Sequence, residues 1–99
     1  MLRHIVLLRV NATAEAERES SVARLSEALT ALPALIDQIR ELSVGANVVV
    51  RPGNWDLALT VDVDDAAALE EYREHPEHQK VLRLINELVA DRCAVDFAV

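Results

Sequence analysis

Aromatic side chains are nearly missing from this chain: Trp55, Tyr72 and Phe97 are the only three among 99 residues. A core without them must be assembled from Leu, Val, Ile and Ala, and a hydrophobic content of 52% supplies enough of these to exclude a disordered chain. Cysteine occurs once, at Cys93, which excludes an intrachain disulfide and fits a reducing compartment. Its alternation with Val95, Phe97 and Val99 predicts a small core residue. Basic residues are outnumbered, 10 Lys and Arg against 17 Asp and Glu, and the net charge of −7 disfavours nucleic acid and anionic membrane surfaces as partners. Long apolar runs are missing too. The opening MLRHIVLLRVN has four consecutive apolar residues between charges, too few to span a bilayer, with no small-residue cleavage site after it. A cytoplasmic protein is expected, folded as one domain over residues 1–99.

What is present is periodicity. Residues 2–10 alternate as a strand, with Leu2, His4, Val6, Leu8 and Val10 on one face and Arg3, Ile5, Leu7 and Arg9 on the other. Thr13 is placed to cap a helix whose start carries Glu15, Glu17 and Glu19. Its buried stripe is Val22, Leu25, Leu29, Leu32 and Ile36, and Pro33 should end or kink it near Leu32. Residues 39–50 read as a second strand with a bulge at Gly45. Arg51-Pro52-Gly53-Asn54 marks a turn, and residues 55–63 alternate as a third strand. Asp64 or Asp65 should cap a short helix through Tyr72. A second helical piece runs from Pro76 to about Val89, and CAVDFAV closes the chain as a strand. The order βαββαβ is that of an α+β, ferredoxin-like fold with a four-stranded antiparallel sheet. Ile5, Leu7, Ala58, Thr60 and further apolar residues of the second strand would lie on the sheet face away from the helices. So much apolar area implies a second copy of the chain covering it.

The segment YREHPEHQK gathers Tyr72 and two of the three histidines, His75 and His78. Proline has no N–H and fixes its own φ, so Pro76 suits the first turn of a helix and His75 becomes the non-helical junction. His78 begins the stripe Val81, Leu82, Ile85 and Val89, and so faces the sheet. His4 faces the same interior from the first strand. Burial and the positive helix start should both keep His78 neutral, suited to act as a base or a ligand. Tyr72 could present its hydroxyl to the same space. Plainer roles stand beside these: His4 as a hydrogen-bonded core residue, and His75 as a helix junction only. A metal site of His75, His78 and His4 is disfavoured, because His75 is off the helix and no carboxylate is clearly placed inward. No metal or cofactor is expected.

Together, RHIVLLRV, LSVGAN, DLALTVDVDD, YREHPEHQKV and DRCAVDFAV resemble the stress-responsive A/B barrel domain family across essentially the whole chain. The most specific feature is Tyr72, His75, Pro76 and His78 in the order Y-x-x-H-P-x-H, joined with His4. The resemblance implies a ferredoxin-like fold and a homodimer in which two sheets meet as a barrel. The family is functionally mixed and includes members linked to stress tolerance. One type, resembling olivetolic acid cyclase, closes a polyketide ring by aldol chemistry. By that likeness His78 would take a proton and Tyr72 would polarise a carbonyl. His4, His75 and Leu57 would touch the substrate, Leu57 standing where that type has a further histidine. The alternative is a structural or stress-related dimer without chemistry.

Overall fold

The computed structural model describes residues 1–99. The elements are β1 (Leu2–Val10), α1 (Glu15–Thr30), a 3-10 turn (Leu32–Ala34), β2 (Glu41–Ala46), β3 (Leu57–Val63), α2 (Ala66–Glu74), α3 (Pro76–Leu88) and β4 (Val89–Ala98). The four strands form one antiparallel sheet in the order β2-β3-β1-β4, the expected ferredoxin-like topology. None of the helices is long and apolar enough to cross a membrane.

Helices cover one face of the sheet. Leu8 and Val10 of β1, Leu57, Leu59, Val61 and Val63 of β3, and the α1 stripe Val22, Leu25 and Leu29 join Leu32 and Ile36 in a cluster of 16 buried hydrophobic residues. Leu32 and Ile36 stay in that cluster although α1 stops before them. Pro33 enters the 3-10 turn within its first two positions, where its missing N–H costs nothing. At the other end of the sheet Asp56 acts as a clamp. Its backbone N–H donates to Leu8 O, and its carboxylate accepts from the Val10 N–H at 2.9 Å and from Arg18 of α1 at 3.2 Å.

Several boundaries differ from the sequence expectation for identifiable reasons. Thr13 does not cap α1; Ala14 holds that position without a side-chain bond, and Glu15 and Glu17 in the first turn face the positive helix end instead. Asp65, not Asp64, caps α2 by accepting from the Ala68 N–H at 2.8 Å, while Asp64 pairs with Arg40. The second strand ends at Ala46, short of 50. The side-chain amides of Asn47 and Asn54 both donate to the carbonyl of Val49 and curl the chain away from the ladder. Gly45 stays in register opposite Ala58, and the bulge lies instead between Arg9 and Val10, against β4. The expected turn is present, with Asn54 N–H donating to Arg51 O and Gly53 at φ 91°. Trp55 precedes β3 rather than belonging to it, and the Arg9 guanidinium lies 4.3 Å from its ring centre. The last strand begins four residues early, at Val89, directly after α3.

The face away from the helices is apolar in the middle and along β4. Register places Leu7 beside Ala58 and Cys93, Ile5 beside Thr60 and Val95, and Arg3 beside Asp62 and Phe97. The apolar extension therefore comes from β4, not from the second strand, whose residues on this side are Glu41, Ser43 and Gly45. Cys93 is exposed rather than core, because β4 is an edge strand and this side of it has no cover within the chain. Val95 and Phe97 are 60% and 40% exposed. Arg3 and the buried Asp62 close the patch with two hydrogen bonds of 2.8 and 3.0 Å.

Those bonds hold the Asp62 carboxyl below the usual carboxylate range. A carboxyl depressed on folding stabilises the fold above its unfolded value, and the contribution is lost as pH falls through the folded value. Urea unfolding followed from neutral pH down through about pH 4 should therefore lose stability on acidification, and Asp62→Asn should remove part of that slope. An unchanged slope in the variant would assign the acid sensitivity elsewhere.

Candidate functional site

The break between α2 and α3 follows from one residue. In a continuous helix the N–H of residue 76 would donate to the carbonyl of Tyr72, but Pro76 has none. The Tyr72 carbonyl accepts instead from the His75 N–H at 3.3 Å. His75 is extended at φ −61° and ψ 136°, and its Nδ1 accepts from the Glu77 N–H at 3.1 Å, capping α3. That leaves the Arg73 carbonyl without its helical donor. It accepts from the His78 Nδ1–H at 3.0 Å and from the Gln79 side-chain amide at 2.8 Å. A carbonyl can only accept, so the Nδ1 of His78 carries a hydrogen and the neutral ring keeps its lone pair on Nε2.

Tyr72 and His78 stand on either side of this break with their ring centres 4.5 Å apart. The Tyr72 ring is also 6.2 Å from that of His4, edge to face. Tyr72 is 1% exposed and His4 6%. His4 Nδ1 donates to the Asp96 carboxylate, which fixes its ring, and the second Asp96 oxygen lies 3.5 Å from the Arg73 guanidinium. His4, Tyr72 and His78 line one cavity of about 530 Å³ between α2, α3 and the sheet, within the range of small-molecule sites. Its walls are mainly aliphatic, including Val6, Leu59, Leu82 and Ile85, and its polar rim carries Arg73, Glu74, Gln79 and Arg92.

Burial acts on both central groups. It pushes the Tyr72 hydroxyl up to about 12, so the tyrosine stays a proton donor. It pushes His78 below the ordinary histidine value. The bond to the Arg73 carbonyl opposes this, and the nearby Arg73 and Arg92 guanidinium groups add to it. At neutral pH the cavity thus holds an un-ionised phenol beside an un-ionised imidazole, a donor next to an acceptor.

Of the five residues expected at a site, His4, Tyr72 and His78 meet at this cavity. His75 and Leu57 are not in its wall. His75 has committed Nδ1 to the α3 cap, and Leu57 is packed in the core beside Leu8, one alternation away from Leu59, the β3 residue that does line the cavity. Asp96, Arg73 and Arg92 were missed. Asp96 also corrects the expectation that no carboxylate points inward, although no three His, Cys, Asp or Glu side chains converge to hold a cation. The available signal was alternation in the last strand, which puts Arg92, Ala94 and Asp96 on the side opposite Cys93 and Val95.

The family model described as the stress responsive A/B barrel domain matches residues 2–99. The chain belongs to the stress-responsive A/B barrel domain family. An uncharacterized protein of Streptomyces coelicolor is 37% identical over 87 residues, 88% of this chain and 89% of that one. Among solved structures, this A/B barrel domain is similar to a dimeric protein of unknown function and ferredoxin-like fold from Bacteroides fragilis. They share 32% identity with a TM-score of 0.87, over 99% of this chain and 95% of the other. It is similar also to a dimeric ferredoxin-like protein of unknown function from Thermobifida fusca, at 36% identity and a TM-score of 0.81, over 99% and 90% of the two chains.

If His75 serves as a cap, His75→Ala should cost about 1 kcal/mol in chemical denaturation, and His75→Asn should recover most of it. Equal losses from the two substitutions would argue against a capping role.

Proposed function

We propose that this A/B barrel domain works as a homodimer in which each chain holds a small-molecule cavity, with Tyr72 and His78 as an acid/base pair for a carbonyl compound. The observation that carries the reading is the pair itself: two neutral titratable rings in contact, in the wall of a mainly apolar cavity. In the reaction, His78 Nε2 takes a proton from carbon next to the carbonyl. The electron pair moves onto the carbonyl oxygen, which accepts a hydrogen bond from the Tyr72 hydroxyl. Return of the proton to another atom would make the reaction an isomerisation, and attack of the enolate on a second carbonyl of the same molecule would make it a cyclisation. His4, held by Asp96, borders the bound molecule, and neither metal nor cofactor enters these steps. The reading makes residues 1–99 one domain and the reducing cytoplasm its compartment, consistent with an unpaired Cys93.

The dimer is supported by the apolar sheet face and by the dimeric state named for the two solved relatives. Apolar side chains as exposed as Val95 and Phe97, contiguous with Ile5 and Leu7, are the kind of surface a second copy covers. Sedimentation at micromolar concentration should give a dimer. Val95→Lys should convert it to monomer by placing a charge in the covered patch. A monomeric parent chain would refute the assembly.

The chemistry is tested by following hydrogen–deuterium exchange next to the carbonyl of medium-chain ketones by NMR. His78→Ala should slow exchange by about 10²–10⁴-fold, and Tyr72→Phe by about 10²-fold. The rate should rise with pH to a midpoint below about 6.5, because burial depresses His78, and then stay level into the alkaline range, because Tyr72 ionises only near 12. Exchange no faster than in buffer, or variants equal to the parent, would leave a dimer without this chemistry.

A further inference from the structure

The cavity rim is charged against the sign of the molecule. The chain carries a net −7, yet the cavity is lined by two guanidinium groups, Arg73 and Arg92, against one carboxylate, Glu74. The two arginines come from opposite sides of the opening. Arg73 is in the last turn of α2. Arg92 is opposite Leu8 in the β1–β4 ladder, so it shares the helix-facing side of the sheet with Ala94 and Asp96. Ala94, between them, has only a methyl group and leaves the rim open at that point.

The two arginines are differently engaged. Arg73 lies 3.7 Å from Glu70 and 3.5 Å from Asp96. The Arg92 guanidinium has no carboxylate partner; the residue's backbone N–H donates to the Asp91 carboxylate at 3.0 Å. The carboxylates near the opening are Glu74, on the α2 side and exposed, and Asp96, whose oxygens are already committed to His4 and Arg73. An uncommitted guanidinium beside an aliphatic cavity offers two parallel N–H donors to a carboxylate.

We infer that the molecule taken by this cavity is an amphipathic oxo acid, with its carboxylate held at the rim by Arg92 and Arg73 and its apolar, carbonyl-bearing body against Leu82 and Ile85. The inference rests on the cavity reading above and adds the charge and orientation of the ligand. The carboxylate anchors the outer end, so the carbonyl enters first, toward Tyr72 and His78.

The test uses 5-oxohexanoate, 5-oxooctanoate and 5-oxodecanoate with their methyl esters, titrated into the intact dimer by calorimetry. Affinity should rise with chain length. Each acid should bind roughly five- to tenfold tighter than its ester at low salt, the net scale of one hydrogen bond at a solvent-accessible rim. Arg92→Gln should remove most of the difference between each acid and its ester, and Arg92→Gln combined with Arg73→Gln should remove all of it. Arg92 is exposed and outside the core, and far-ultraviolet circular dichroism confirms that the variant is folded. Acids and esters binding equally would overturn the inference and leave the cavity reading intact. An acid preference that survives substitution of both arginines by Gln would overturn it as well. If no acid and no ester binds at any length, both readings fall together.

Discussion

Pro76 has no N–H to give to the carbonyl of Tyr72, and the architecture of the cavity depends on that missing donor. The helical ladder opens for one turn and three groups reorganise around the gap. His75 turns extended and caps the new helix with its imidazole. The carbonyl of Arg73, left without a backbone partner, takes the hydrogen of His78 Nδ1. Tyr72 ends up beside the ring thus oriented. A local backbone vacancy has been converted into a defined tautomer, because the freed carbonyl takes the side-chain donors beside it, His78 Nδ1 and the Gln79 amide. An alanine at 76 would let the ladder close and hand the Arg73 carbonyl back to the backbone.

A single physical effect, removal from water, sets the chemistry of both rings. It raises the tyrosine and lowers the histidine, so both are uncharged over the whole interval between them. No hydrogen-bonded pair of opposite charges is needed to prepare the site. Asp96 sits apart from this pair and holds His4 at the far side of Tyr72. The cavity therefore combines one ring positioned by a carboxylate with one positioned by a carbonyl.

The order of elements, the sheet topology and the inward-facing trio His4, Tyr72 and His78 were legible because they depend on short-range periodicity and on the known behaviour of proline. Alternation over 2–10 and 57–63 is strong, and the α1 stripe repeats at helical spacing through Ile36. What was not legible depends on register. Asp96 meets His4 across 92 positions of chain, and nothing local to either residue announces it. Cys93, Val95 and Phe97 looked like core because alternation identifies a face without saying what covers it. The end of the second strand was overrun because Val48, Val49 and Val50 have high strand propensity, while two asparagine amides bend the chain away. His75 was read as a junction correctly and as a pocket residue on the family likeness. Its Nδ1 is engaged by a cap that becomes visible only once the backbone is placed.

The last strand has two readers. Residues 92, 94 and 96 belong to the cavity side, and 93, 95 and 97 to the bare sheet face. The two sets can be altered independently by substitution, since neighbours in a strand point to opposite sides. They cannot be altered independently by a change of length. Inserting or deleting one residue between Val89 and Arg92 would carry cysteine, valine and phenylalanine into the cavity and arginine and aspartate onto the opposite face. Diversification of this strand is therefore possible by exchanging residues at constant length and not by changing its length.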